Sequence, residues 1–158
     1  MGPDLNGRSP VGPHLPLRAS GTFEGHSWEF RASIEDDAAH TYFEVRDPFG
    51  SGGGGGGVGA LPFQNVGGKV LGHIGTTGWG SGDESSGSPQ LIDGVISATT
   101  ATVRIHFGDG SAEEALVVDS GQPQFKFFVL PFGTGRRWRS IVALDVSGKE
   151  LDRTVSRD

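Results

Sequence analysis

Between Thr102 and Phe107 the apolar residues Val103, Ile105 and Phe107 alternate with Thr102, Arg104 and His106. That is the period-two pattern of a strand with one buried face. The Asp109-Gly110 pair that follows predicts a type I′ hairpin, a turn with positive φ at both central positions. Further strands are expected within Ser111 to Asp119, Phe125 to Leu130 and Ile141 to Val146. Phe125, Phe127 and Val129 share one face of their strand while Phe128 and Leu130 take the other, so this strand should be central. Upstream, Trp28, Phe30, Ala32 and Ile34 alternate with Glu29, Arg31 and Ser33, which puts Trp28 on a core face. Phe43 and Val45 point inward from Thr41 to Arg46. Leu91 to Ser97 supplies another strand, Leu61 to Ile74 is weakly strand-like, and Lys149 to Leu151 forms a short edge.

About eight or nine strands, with turn residues between them and no amphipathic helix, predict an all-β fold: an antiparallel β-sandwich, with an eight-stranded β-barrel as the alternative. Two layers should enclose Trp28, Phe107, Phe127 and Leu144 in one interior. The domain is expected to span 20–152, preceded by a Pro/Gly-rich arm at 1–19 and followed by a charged tail at 153–158.

Glycine alters this picture in places. Of 158 residues 28 are Gly, and eight lie within 50–59 around Ser51 and Val58. Their backbone freedom predicts an exposed loop rather than a ladder, one whose partial deletion would leave stability nearly unchanged. The stretch from Gly75 to Pro89 is polar apart from Trp79 and reads as a long loop, the kind of segment that often carries function.

The net charge of −6 is uneven. Residues 24–119 hold 14 acidic and 4 basic side chains, residues 125–158 hold 4 and 7. A phosphate backbone needs a coherent basic face, so nucleic acid is not an expected partner. No apolar run is long enough to span a bilayer. Cysteine is absent, which removes disulfide and thiolate-zinc chemistry from consideration.

Catalytic patterns are missing. There is no G-x-S-x-G elbow. Glycine-rich matches to a dinucleotide fingerprint lack the required βαβ setting, and Val70 follows Gly68-Lys69 where a phosphate loop needs Ser or Thr. The five histidines, His14, His26, His40, His73 and His106, are dispersed. Glu35-Asp36-Asp37 reads as a solvated hairpin tip rather than a calcium loop. Asp109, Glu113 and Glu114 are the nearest approach to paired catalytic acids. No cofactor and no metal is expected.

Two stretches resemble a pattern found in uncharacterised, often exported or membrane-anchored immunoglobulin-like β-sandwich domains of high-GC Gram-positive bacteria. One is Gly21-Thr22-Phe23-Glu24-Gly25-His26-Ser27-Trp28. The other runs through Gly94-Val95-Ile96, Thr102 to Ile105, Asp109-Gly110, Phe127-Phe128 and Val142 to Gly148. Together they cover a little under half the chain, and the cysteine often found in the strand matching Tyr42 to Arg46 is absent. The resemblance implies an immunoglobulin-like fold and an extracytoplasmic or cell-envelope setting, and it implies no chemistry.

The expected function is therefore a non-catalytic binding or interaction module. Its contacts would be Trp79, Asp83 and Glu84 in the long loop and Arg136, Arg137, Trp138 and Arg139 in the last interstrand turn, offered to a protein or glycan. The alternative is an assembly subunit, a homo-oligomer included, that joins neighbours through an edge strand or the N-terminal arm. A carbohydrate-active enzyme comes third.

Overall fold

The strand from Phe125 to Phe132 is buried on both faces through Phe127, Phe128, Val129 and Leu130, and the architecture follows from the two cores it separates. The computed structural model describes residues 15–35, 38–46, 52–60, 71–78, 90–133 and 136–156, with backbone alone for 52–60 and 72–78. Among the described residues there are twelve strands and no helix: β1 (Leu17–Phe23), β2 (His26–Glu35), β3 (Ala38–Arg46), β4 (Gly52–Ala60), β5 (Leu71–Gly78), β6 (Gln90–Ser97), β7 (Thr102–Phe107), β8 (Ala112–Glu114), β9 (Leu116–Asp119), β10 (Phe125–Phe132), β11 (Trp138–Leu144) and β12 (Glu150–Val155).

They form three four-stranded antiparallel sheets, ordered β1-β2-β3-β4, β5-β6-β10-β9 and β12-β11-β7-β8. The open β-sandwich is thus present and the barrel is not. The expected single interior is replaced by two. In one, Trp28, Phe30, Ala32, Ile34, Phe43 and Val45 of the first sheet meet Leu91, Val95, Phe127 and Val129 of the second. In the other, Leu71, Ile92, Ile96, Phe128, Leu130 and Phe132 meet Val103, Ile105, Phe107, Ile141 and Ala143 of the third. Trp28 and Phe127 therefore share a core, while Phe107 lies on the opposite side of the middle sheet. Alternation along β10 puts neighbouring phenylalanines into different cores, and stacking a sheet on each face buries both.

Several connections differ from expectation for local reasons. The type I′ combination of two positive φ values occurs at Glu24 (51°) and Gly25 (82°), between β1 and β2. At the β7–β8 connection Gly110 has positive φ (89°) and Asp109 does not. There the Asp109 carboxylate instead accepts from the Ser111 amide at 2.9 Å, and the loop spans the four residues between Phe107 and Ala112. The run Ser111 to Asp119 is two strands: at Ala115 the chain leaves the third sheet, where β8 pairs with β7, and enters the second, where β9 pairs with β10. β12 reaches Val155, past the expected short edge.

The largest correction is β4. Gly52 to Ala60, expected as a loop, pairs residue for residue with β3 from Arg46↔Gly52 to Ala38↔Ala60. Glycine costs about 0.5–1 kcal/mol per residue in a strand relative to alanine, a penalty that a net hydrogen bond of about 0.5–1.5 kcal/mol is large enough to offset. The amphipathic β3 supplies the template, so removing 53–57 would strip the middle of its ladder. Residues 75–78, also expected in a loop, end β5.

The sheets are tied at their margins. Arg18 Nε donates to the Ala32 carbonyl at 2.8 Å and its Nη2 to the Ser120 carbonyl at 3.1 Å, linking β1 to the β9–β10 turn. On the other side, the Leu71 amide of β5 donates to the Asp152 carboxylate of β12 at 3.0 Å.

The two-core arrangement predicts where energetic coupling occurs. Phe30 and Phe127 meet edge to face with centroids 5.8 Å apart, so Phe30→Leu with Phe127→Leu should show about 0.5–1.5 kcal/mol of coupling in a urea double-mutant cycle. Phe30→Leu with Phe107→Leu should add to within about 0.5 kcal/mol.

Candidate functional site

The interstrand corner that brings the predicted arginines forward is built on β7, β8 and β11. Arg136 stacks on Phe107, its guanidinium carbon 3.8 Å from the ring centroid. It also forms an ion pair with Glu113, lies 3.5 Å from the Asp109 carboxylate and donates to Ser111 Oγ. This guanidinium closes the end of the second core and matches nearby carboxylates. Trp138 is half-buried and packs on that same core, so its ring is not fully presented to solvent. Arg137 and Arg139 are exposed, and the Arg139 side chain lies alongside Gly108. Trp79, Asp83 and Glu84 lie outside the described residues, as do Asp36 and Asp37.

The candidate acid pair has other employment. Ser111 hydrogen bonds hold the Asp109 carboxyl below its ordinary range, Glu113 meets Arg136, and Glu114 lies 3.3 Å from Arg104. Among the described residues no three His, Asp or Glu side chains converge to hold a metal.

The outer face of the first sheet carries a shallow depression of about 310 Å³ lined by Ser20, Gly21, Thr22, Ser27, Trp28, Glu29, Glu44 and Arg46. Glu29 and Glu44 are register partners, and each is matched on its own strand, Glu29 by Arg31 at 3.1 Å and Glu44 by Arg46 at 2.7 Å. The carboxylates of the depression are thus neutralised by neighbouring arginines and leave no unmatched charge there to select an ion.

Sequence reasoning missed two features. One is Asp93 on β6, which is 8 % exposed. Its register partners are Gly75 on β5 and Val129 on β10. It alternates in phase with Leu91 and Val95, which belong to the apolar core under the first sheet. Burial pushes its carboxyl up to about 7. Alternation within Leu91 to Ser97 could have placed this carboxylate among core residues.

The other is the outer edge of β4. Six strands lie at sheet edges, and five of them are short or irregular. β8 has three residues and β9 four. The pairing of β1 shifts register between Leu17 and Ala19, that of β5 between Gly72 and Gly75, and that of β12 opposite Ala143 and Leu144. β4 is nine residues long, regular throughout, and free of the charge, proline or bulge that normally blunts an edge. Among the described residues no strand pairs with its far side.

Compared with protein-family models, with curated proteins and with solved structures, the chain matches none. No helix among the described residues is long and apolar enough to cross a membrane.

Asp93 gives this region a measurable pH dependence. Its ordinary value is 3.8 and its folded value is about 7, so between those limits the folded state holds a proton that the unfolded state has released. Stability is expected to fall as pH rises from about 4 to about 7 and then level off, by about 4 kcal/mol at most at roughly 1.4 kcal/mol per pH unit. Urea titrations of wild type and Asp93→Asn across that range check this, the variant losing that component of the slope.

Proposed function

We propose that this chain is a non-catalytic interaction module that takes up a polypeptide partner by strand addition to the outer edge of β4. The observation that supports it is the regular nine-residue pairing of β4 with β3 at the margin of the first sheet. An edge strand offers alternating amide donors and carbonyl acceptors, which an extended peptide matches and a sugar does not. A glycine backbone adds no side chains to hinder approach from either face.

Of the corner arginines, Arg136 fits this reading as structure rather than recognition, since it is occupied by Phe107, Asp109 and Glu113. An immunoglobulin-like affiliation and display at a cell envelope belong to the same proposal. They are supported by the resemblance of the Gly21–Trp28 and Gly94–Gly148 stretches.

A labelled peptide copying β3, Ala38 to Arg46, serves as the probe. Fluorescence polarisation should show binding to the wild-type protein, weakened at least about tenfold by Gly54→Lys with Gly56→Lys, because edge lysines block strand pairing. Absence of binding, or binding indifferent to the lysines, would overturn the proposal. Thermal melts of the variant verify that the fold persists.

A further inference from the structure

Resting on the strand-addition reading, we infer that the partner at β4 is a second copy of this chain, two β4 strands pairing antiparallel about a two-fold axis at Gly56. Gly52 of one copy then stands opposite Ala60 of the other, and two four-stranded sheets become one of eight strands.

Three observations lead to the second copy. The first is composition. Six consecutive glycines, Gly52 to Gly57, face whatever pairs there. Strand-addition sites ordinarily distinguish foreign peptides through pockets for alternate side chains; here the edge strand itself supplies none, while a glycine strand is its own steric match.

The second is charge. The chain carries −6, which opposes self-association over most of its surface, yet residues 52–60 contain no charged residue. Extending the β3–β4 register through the two-fold places Glu44 of one copy level with His40 of the other. Tyr42 falls level with its own counterpart, and Arg46 with Ala38. No like charges fall level between the two β3 strands.

The third is closure. Pairing β4 with β4 uses up the one long, regular edge among the described strands, and the short or shifted edges that remain give a filament no continuation. An isologous contact of this kind closes as a dimer.

The two-fold makes position 56 its own neighbour, and that supplies the test. Light scattering coupled to size exclusion, across loading concentrations from roughly 1 to roughly 200 μM, should show wild-type mass rising from the 16.5 kDa of one chain toward twice that value. Gly56→Lys and Gly56→Glu should each remain monomeric, since like charges directly opposite on paired strands are destabilising. An equimolar mixture of the two should recover the dimer, with opposite charges facing. Circular dichroism and melting curves confirm that both variants are folded.

A wild-type dimer that persists in Gly56→Lys, or variants that fail to associate when mixed, would overturn the two-fold register at Gly56. A wild-type protein that stays monomeric while still binding the β3 peptide would overturn self-pairing and leave strand addition standing. A monomer that binds no peptide would remove both.

Discussion

A sheet buried on both faces has to be apolar on both faces, and that requirement governs this molecule. β6 and β10 lie side by side at the centre of the middle sheet and carry the sequences Gln-Leu-Ile-Asp-Gly-Val-Ile-Ser and Phe-Lys-Phe-Phe-Val-Leu-Pro-Phe. Their side chains alternate between two separate cores, so each outer sheet needs only one apolar face. β2 from Trp28 onward and β7 show the consequence in strict alternation of buried and less buried positions, and β3 follows it except at Thr41, with arginines and glutamates outward. A chain with 34 % hydrophobic residues can sustain two cores because the middle layer serves both.

The central pair also explains the cost at Asp93. Along β6, Leu91 and Val95 enter the core beneath the first sheet, and Asp93, which alternates in phase between them, is a carboxylic acid. Aspartate there is tolerated in its neutral form, because an isolated charge in such a layer would be expensive. Burial of this carboxyl links the stability of the folded chain to pH.

Much of this was legible in the residues. Alternation in Trp28–Ile34 and Thr102–Phe107 identified strands and their inward faces, and two-sided apolarity in Phe125–Leu130 identified a central strand. What alternation does not encode is which strands share a core: Phe107 and Phe127 both read as buried, yet they lie on opposite sides of one sheet. Nor does local chemistry reveal a template. Gly52–Gly57 has every property of a loop in isolation and becomes a strand because β3 has a second edge to satisfy. Asp109-Gly110 misled for a similar reason, since the Asp109 carboxylate spends itself on the Ser111 amide and the turn opens to four residues. The corner arginines are neighbours in the chain, but the occupation of Arg136 by Phe107 and the flanking acids depends on a stacking geometry that residue type alone does not disclose.

Ala115 is a small residue with a large mechanical role. It is the hinge-free corner where one continuous run of chain stops serving the third sheet and starts serving the second, its amide held by the Val103 carbonyl at 2.8 Å. Separating those two layers therefore strains the ladders of β8 and β9 at that corner as well as the apolar core between the sheets.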